Sequence, residues 1–117
     1  MYDERLFSHF RNPRNAGELQ PPAVTVEVSN PACGDILRLS VLFENGRTCN
    51  AAYKARGCTA SIAAGSALTE LVSGKTPAEL RTLNAAVIEE ALGGLPAESK
   101  HAATLCMDAV KAILKAI

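Results

Sequence analysis

Two residue types that bind metals stand close together in residues 30–35, which read Asn-Pro-Ala-Cys-Gly-Asp. The thiol of Cys33 precedes the carboxylate of Asp35, with a glycine between them that lets the backbone approach closely. A thiolate is a soft ligand and a carboxylate a hard one, so the pair suits a borderline metal such as zinc or iron. The same segment also fits a tight turn in which Asp35 caps a backbone N–H group and Cys33 is a small buried residue.

A second thiol, Cys58, follows a glycine at the point where the sequence pattern changes from strand to helix. The free N–H groups and the positive dipole end of a helix stabilise a thiolate, which makes Cys58 a good ligand or nucleophile. A packed cysteine at a strand-to-helix junction is the alternative interpretation. His101, in the first turn of the last predicted helix, could supply a third ligand through its neutral imidazole.

Three predicted strands explain how these residues could meet. Residues 24–29 and 36–43 alternate between apolar and polar side chains, and the Asn45-Gly46 pair predicts a hairpin into a third strand over residues 48–55. An antiparallel meander returns to the same end after two strands. We therefore expect Cys33 and Cys58 to be neighbours, with His101 reaching the same end of the sheet.

Apolar residues at helical spacing predict one helix before the sheet and four after it. The predicted helices cover residues 2–10, 58–74, 76–83, 85–92 and the segment from about residue 98 to the end. Strands followed by helices favour an α+β fold, in which helices pack on one face of a small three-stranded antiparallel sheet. Because 117 residues with 48% hydrophobic content can bury one core, residues 1–117 are predicted to be a single domain.

The composition argues against several classes of function. Twelve basic and twelve acidic side chains cancel, so nucleic acid and anionic membranes are not expected partners. No apolar run approaches the ~20 residues that span a bilayer, and the first residues lack the hydrophobic block of a signal peptide. We expect a cytoplasmic location, where the four cysteines are better interpreted as ligands, catalytic thiols or core residues than as disulfides.

Four motifs, in order and at matching separations, make the chain resemble the NifU/IscU family of iron-sulfur cluster scaffold proteins over nearly its whole length. Residues 12–15 resemble the family's Asn-Pro-Arg-Asn, and residues 30–35 its Asn-Pro-x-Cys-Gly-Asp. Residues 57–61 resemble its Gly-Cys-x-x-Ser motif, and residues 100–101 and 108–111 resemble its C-terminal motif.

This resemblance implies that Cys33, Asp35, Cys58 and His101 hold a nascent [2Fe-2S] cluster or, in its absence, a zinc ion. A cysteine desulfurase would supply the sulfur, and recipient proteins would take the cluster. The protein is then a scaffold and not an enzyme. Whether it forms a homo-oligomer does not follow from the resemblance. The alternatives are a zinc-bearing sulfur acceptor that activates a desulfurase, and a regulatory adaptor that has lost cluster chemistry.

Ala102 stands where the family has a third cysteine, and Cys106 follows one helical turn, or ~6 Å, later. Cys106 would either replace the missing metal ligand or belong to the core. Its place in an apolar stripe with Leu105 and Ala109 favours the core.

Two further segments lead to expectations. Residues 95–100 depart from the family's Leu-Pro-Pro-Val-Lys segment, so delivery by the dedicated Hsp70-type chaperone is not expected. Cys49 falls in phase with Ala51 and Tyr53 on the third strand, which predicts a packed structural residue.

Overall fold

The computed structural model describes residues 2–31 and 34–117. Its single sheet contains β1 (Val24–Asn30), β2 (Asp35–Glu44) and β3 (Arg47–Arg56), antiparallel and in that order. Asn45 and Gly46 both have positive φ, at 54° and 77°, as the tight turn between β2 and β3 requires. The predicted meander is therefore confirmed.

Within these described ranges, one helix precedes the sheet and four follow it, as predicted. They are α1 (Glu4–Arg11), α2 (Thr59–Val72), α3 (Pro77–Leu80), α4 (Ala85–Ala91) and α5 (His101–Ala116), with a short 3-10 turn at Ala97–Ser99 before α5. At the start of α3, Thr76 and Glu79 exchange side-chain and backbone hydrogen bonds in a capping box. The α+β prediction is confirmed.

The core lies between the sheet and two helices, with α2 packed on β3 and α5 on β1 and β2. Leu37, Leu39 and Val41 of β2 are each at most 1% exposed. Gly65 allows α2 to approach closely, because a Cβ atom there would lie 2.5 Å from the ring of Tyr53. The small residues of α2 thus fix the distance between this helix and the sheet.

Cys49 corrects one prediction. The pairing of β2 with β3 shifts at a bulge, where Leu42 pairs with Asn50 and Phe43 with Thr48, so Cys49 has no residue opposite. The alternation of faces changes there by one residue, which buries Thr48 and exposes Cys49. The expectation that Cys49 packs with the apolar residues of β3 was wrong.

No helix within the described ranges has both the length and the hydrophobicity that a bilayer span requires.

Candidate metal site

Asp35, Cys58 and His101 meet at one end of the sheet. Asp35 begins β2, Cys58 is the N-cap of α2 and His101 begins α5. The antiparallel register pairs Ile36 with Arg56, so the start of β2 lies beside the exit of β3, from which the chain enters α2. Three elements distant in sequence therefore each place a ligand-type side chain at one point.

The distances fit a single ion. Cys58 Sγ lies 3.6 Å from His101 Nε2 and 3.9 Å from Asp35 Oδ2. His101 Nε2 lies 3.0 Å from Asp35 Oδ2. Tetrahedral zinc, with its usual bond lengths, holds neighbouring nitrogen and oxygen ligands about 3.3–3.5 Å apart and a sulfur about 3.5–3.7 Å from either. A metal could therefore bind all three atoms after small side-chain adjustments.

The carboxylate of Asp35 is held on two sides. Its side chain is 3% exposed, and the Ser61 hydroxyl donates a hydrogen bond of 2.6 Å to Oδ2. On the other side lies Gly57, where a Cβ atom would collide with Oδ1 and the backbone has a φ of +151°. Gly57 therefore leaves room for the carboxylate of Asp35, which occupies space that a side chain at position 57 would fill.

The ring of His101 is oriented by the 3-10 turn that precedes it. Nδ1–H donates to the carbonyl oxygen of Glu98 at 3.1 Å, so Nε2 faces Asp35 and Cys58. When protonated, Nε2–H donates to Asp35, and when neutral its lone pair can bind a metal. A hydrogen bond at the second ring nitrogen is the usual way in which proteins orient a metal-binding histidine.

Cys58 keeps its thiol available. The residue is exposed, and its side chain makes no capping hydrogen bond to the first turn of α2. Its Sγ atom lies at the N-terminal end of a 14-residue helix, within 4 Å of Asp35 Oδ2 and His101 Nε2. The sulfur can therefore face the other two side chains as a ligand atom.

The remaining predicted ligands have different outcomes. Cys33 lies outside the described residues. Cys106 is 1% exposed among the apolar residues of the core, and this burial raises the pKa of its thiol to about 12. Within residues 2–31 and 34–117, the group of side chains able to share a metal consists of Asp35, Cys58 and His101 and does not include Cys106.

The match to known proteins covers the whole chain. Residues 1–117 match the family model described as the NifU-like N terminal domain. The chain belongs to this family. The resemblance inferred from the four motifs is confirmed.

Two curated relatives and one solved structure illustrate how similar this NifU-like chain is to known proteins. It is 36% identical over 95% of its length to iron-sulfur cluster assembly scaffold protein IscU 1 of Archaeoglobus fulgidus, matching 72% of that protein. It is 37% identical over 97% of its length to the scaffold protein IscU of Azotobacter vinelandii, matching 91% of that protein. A crystal structure described as a hypothetical protein has a TM-score of 0.72 at 27% identity, over 96% of this chain and 95% of that one.

Sequence reasoning did not assign a role to Ser61, although this residue belongs to the Gly-Cys-x-x-Ser motif. Its hydroxyl contacts both Asp35 Oδ2 and Cys58 Sγ, at 2.6 and 3.4 Å. The available signal was its position three residues after Cys58, which on a helix places the two side chains on the same face.

A second unpredicted group, a polar cluster around Ser66, fixes the N-terminal segment. The backbone N–H of Arg14 donates to Ser66 Oγ at 2.8 Å, and a hydrogen bond of 2.7 Å joins Ser66 Oγ to His9 Nδ1. On the other side of the ring, His9 Nε2 lies 3.6 Å from a carboxylate oxygen of Glu70. The burial of His9 was not predictable from the sequence, since a histidine in a short amphipathic helix usually faces solvent.

The family's Asn-Pro-Arg-Asn motif continues this attachment onto the sheet. Gly17 N–H donates to the carbonyl oxygen of Tyr53 at 2.8 Å, and Tyr53 N–H donates to that of Asn15 at 3.0 Å. Asn15 adopts a φ of 58°, which asparagine tolerates better than most residues. This segment thus covers the outer edge of β3, and among the described residues it contributes no side chain to the group formed by Asp35, Cys58 and His101.

Proposed function

We propose that this chain is an iron-sulfur cluster assembly scaffold that holds a nascent [2Fe-2S] cluster and passes it to recipient proteins. The observation that carries the proposal is the meeting of Asp35 Oδ2, Cys58 Sγ and His101 Nε2, in a triangle sized for a metal. The two curated relatives quoted above are both named scaffold proteins, which supports the proposal. The sulfur-acceptor and adaptor alternatives are not favoured.

The ligand set suits a cluster that must be released. Cys58 supplies a soft thiolate, His101 an imidazole and Asp35 a hard carboxylate. Cys33, close in sequence to Asp35, is proposed as the fourth ligand because two ligands per iron complete a bridged two-iron unit. An oxygen ligand matches a soft cluster poorly, so this cluster is less firmly held than one bound by four thiolates. Zinc would occupy the same tetrahedral site when no cluster is present.

The proposal also specifies partners. A cysteine desulfurase supplies sulfur as a persulfide, and iron enters as the ferrous ion. Reduction of two such sulfurs to sulfide takes four electrons, of which two come from the two ferrous ions and two from an external thiol reductant. Recipient proteins take the finished cluster. The chain itself then binds and transfers its cargo as one domain and does not turn over a substrate. Since Ala102 stands where the family has a cysteine, transfer of sulfur onto the scaffold depends on Cys33 or Cys58.

Anaerobic reconstitution tests this proposal. The protein is incubated with ferrous iron, cysteine and a desulfurase, separated from free reagents, and assayed for bound iron and acid-labile sulfide. We expect equal amounts of both, and their loss in Cys58→Ala. Cys49→Ala is the matched control, because it removes an exposed thiol from the bulge of β3 and should change nothing. Retention of zinc without any sulfide would refute cluster assembly.

A further inference from the structure

The Ser61 hydroxyl lies inside the candidate site without being one of its ligands. Ser61 is 4% exposed, so water does not compete for its hydroxyl. Its Oγ atom is 2.6 Å from Asp35 Oδ2, a length typical of a strong O–H···O⁻ hydrogen bond. The oxygen that it contacts is the same one that faces Cys58 and His101.

The single proton of this hydroxyl has two acceptors within reach, Asp35 Oδ2 and Cys58 Sγ, and sulfur is the weaker of the two. An ionised carboxylate only accepts hydrogen bonds, so Ser61 donates to Asp35. The 3.4 Å contact with Cys58 Sγ is longer and leaves the thiolate free to bind the ion. Ser61 therefore acts on the carboxylate ligand of the site and not on the thiolate.

Without the hydroxyl, the side-chain donors left to Asp35 Oδ2 among the described residues would be the two other ligand groups, His101 Nε2 at 3.0 Å and Cys58 Sγ at 3.9 Å. The histidine nitrogen needed by the metal would then be needed by the carboxylate as well. With the hydroxyl in place, Asp35 retains a partner when His101 turns to the ion. A buried carboxylate that has no hydrogen-bond partner destabilises the protein, because its contacts with water have been lost and not replaced. The hydrogen bond from Ser61 avoids this cost.

We infer that Ser61 is a positioning residue, whose hydroxyl holds Asp35 Oδ2 towards Cys58 and His101 and thereby sets the affinity of the site for metal. This inference rests on the proposed function for the biological role of the site, but it concerns metal binding alone. Hydrogen-bond partners of metal ligands typically change metal affinity by about 10- to 100-fold when removed.

Zinc affinity, measured by competition with a chromophoric chelator, tests the inference. We expect Ser61→Ala to weaken zinc binding about tenfold. Ser66→Ala is the matched control, because it removes an equally buried hydroxyl from the same helix, where the partner is His9. It should leave zinc affinity within about twofold of the wild type.

A double-mutant cycle separates positioning from a general structural effect. In an Asp35→Ala background, Ser61→Ala should have no further effect, because its hydrogen-bond acceptor is gone. Cobalt(II) serves as a spectroscopic probe, and the thiolate-to-cobalt absorption should persist in Ser61→Ala because Cys58 still binds. An equal loss in both backgrounds, or wild-type affinity in Ser61→Ala, would overturn the inference.

The outcomes distinguish this inference from the proposed function. If Ser61→Ala weakens zinc binding but the wild type retains no sulfide on reconstitution, the positioning role stands and the scaffold function fails. If the wild type assembles a cluster and Ser61→Ala binds zinc normally, the positioning role fails and the scaffold function stands. A wild-type protein that binds neither zinc nor cobalt(II) overturns the positioning role.

Discussion

His101 Nε2 lies 3.0 Å from Asp35 Oδ2, and the two side chains are 22% and 3% exposed. The contact joins the first residue of α5 to the first residue of β2 across the end of the sheet. Each group is therefore largely shielded from water and depends on protein partners or a bound ion. We expect a bound ion to replace Asp35 as the partner of His101 Nε2.

The carboxylate of Asp35 should influence how fast the protein releases a bound cluster. Asp35→Cys replaces the hard ligand by a soft one, so we expect a reconstituted cluster to transfer to a chelator several-fold more slowly. The measurement is the decay of cluster absorbance after the chelator is added. Asp108→Cys adds a thiol to an exposed position of α5, outside the described ligand group, and should not slow the decay. An unchanged rate in Asp35→Cys would contradict the role given to this ligand.

Substitution of Gly57 distinguishes two effects, the backbone strain of a side chain at positive φ and the displacement of the Asp35 carboxylate. Gly57→Ala forces a side chain into the left-handed region and into the carboxylate of Asp35. We expect a loss of about 1–3 kcal/mol of stability together with a clear loss of zinc affinity. Gly94→Ala, at a φ of +97° with open space around its Cβ position, should lose stability but bind zinc normally. Equal zinc affinities in the two variants, measured by competition, would show that Gly57 does not protect Asp35.

Cys106 should be protected from alkylation. Its thiol is fully buried and its pKa of about 12 keeps it protonated near neutral pH, whereas Cys49 and Cys58 are exposed. Treatment with iodoacetamide followed by peptide mass spectrometry should modify Cys49 and Cys58 first. Cys106 should react only when urea unfolds the chain. Rapid labelling of Cys106 in the native protein would place it outside the core.

His9 predicts a dependence of stability on pH. Burial, and secondly the charge of Arg14, lower the pKa of His9 below its ordinary value, although Glu70 acts in the opposite direction. The unfolded chain thus takes up this proton at a higher pH than the folded chain. The stabilising contribution is complete above about pH 6.5 and is lost as the pH falls through the folded pKa.

Urea unfolding at about pH 7.5 and about pH 5.5 measures this effect. The free energy of unfolding should fall more between these values in the wild type than in His9→Gln, which has no titrating ring. His101→Gln is the matched control and should retain the contribution from His9. A wild-type profile as flat as that of His9→Gln would contradict the prediction.

Local sequence signals were sufficient for the outline of the fold. The alternation over β1 and β2 follows from burial of one face, and the Asn45-Gly46 turn and the Thr76 capping box depend on residues a few positions apart. Such features need no knowledge of distant contacts. The same is true of the argument that brings the start of β2 next to the exit of β3, since it uses only the order of three antiparallel strands.

The features that sequence reasoning missed depend on contacts between distant segments. At the bulge of β3, Thr48 exchanges backbone hydrogen bonds of 2.9 Å with Gly74 and Lys75, which follow α2. No alternation within β3 reveals this attachment, so the exposure of Cys49 was not predictable. The hydrogen bond from Ser61 to Asp35 likewise joins α2 to β2, and a motif by itself does not say which partner its serine takes.

The assembly of the site from the beginnings of β2, α2 and α5 has a consequence for the lifetime of the protein. An unfolded chain has no such site, so a bound ion stabilises only the native state, by about 2.7 kcal/mol when its free concentration is 100 times the dissociation constant. Proteases attack chains that open, and a loaded chain opens less often. Proteolysis in the cell would then remove copies without a bound ion sooner than copies that hold one.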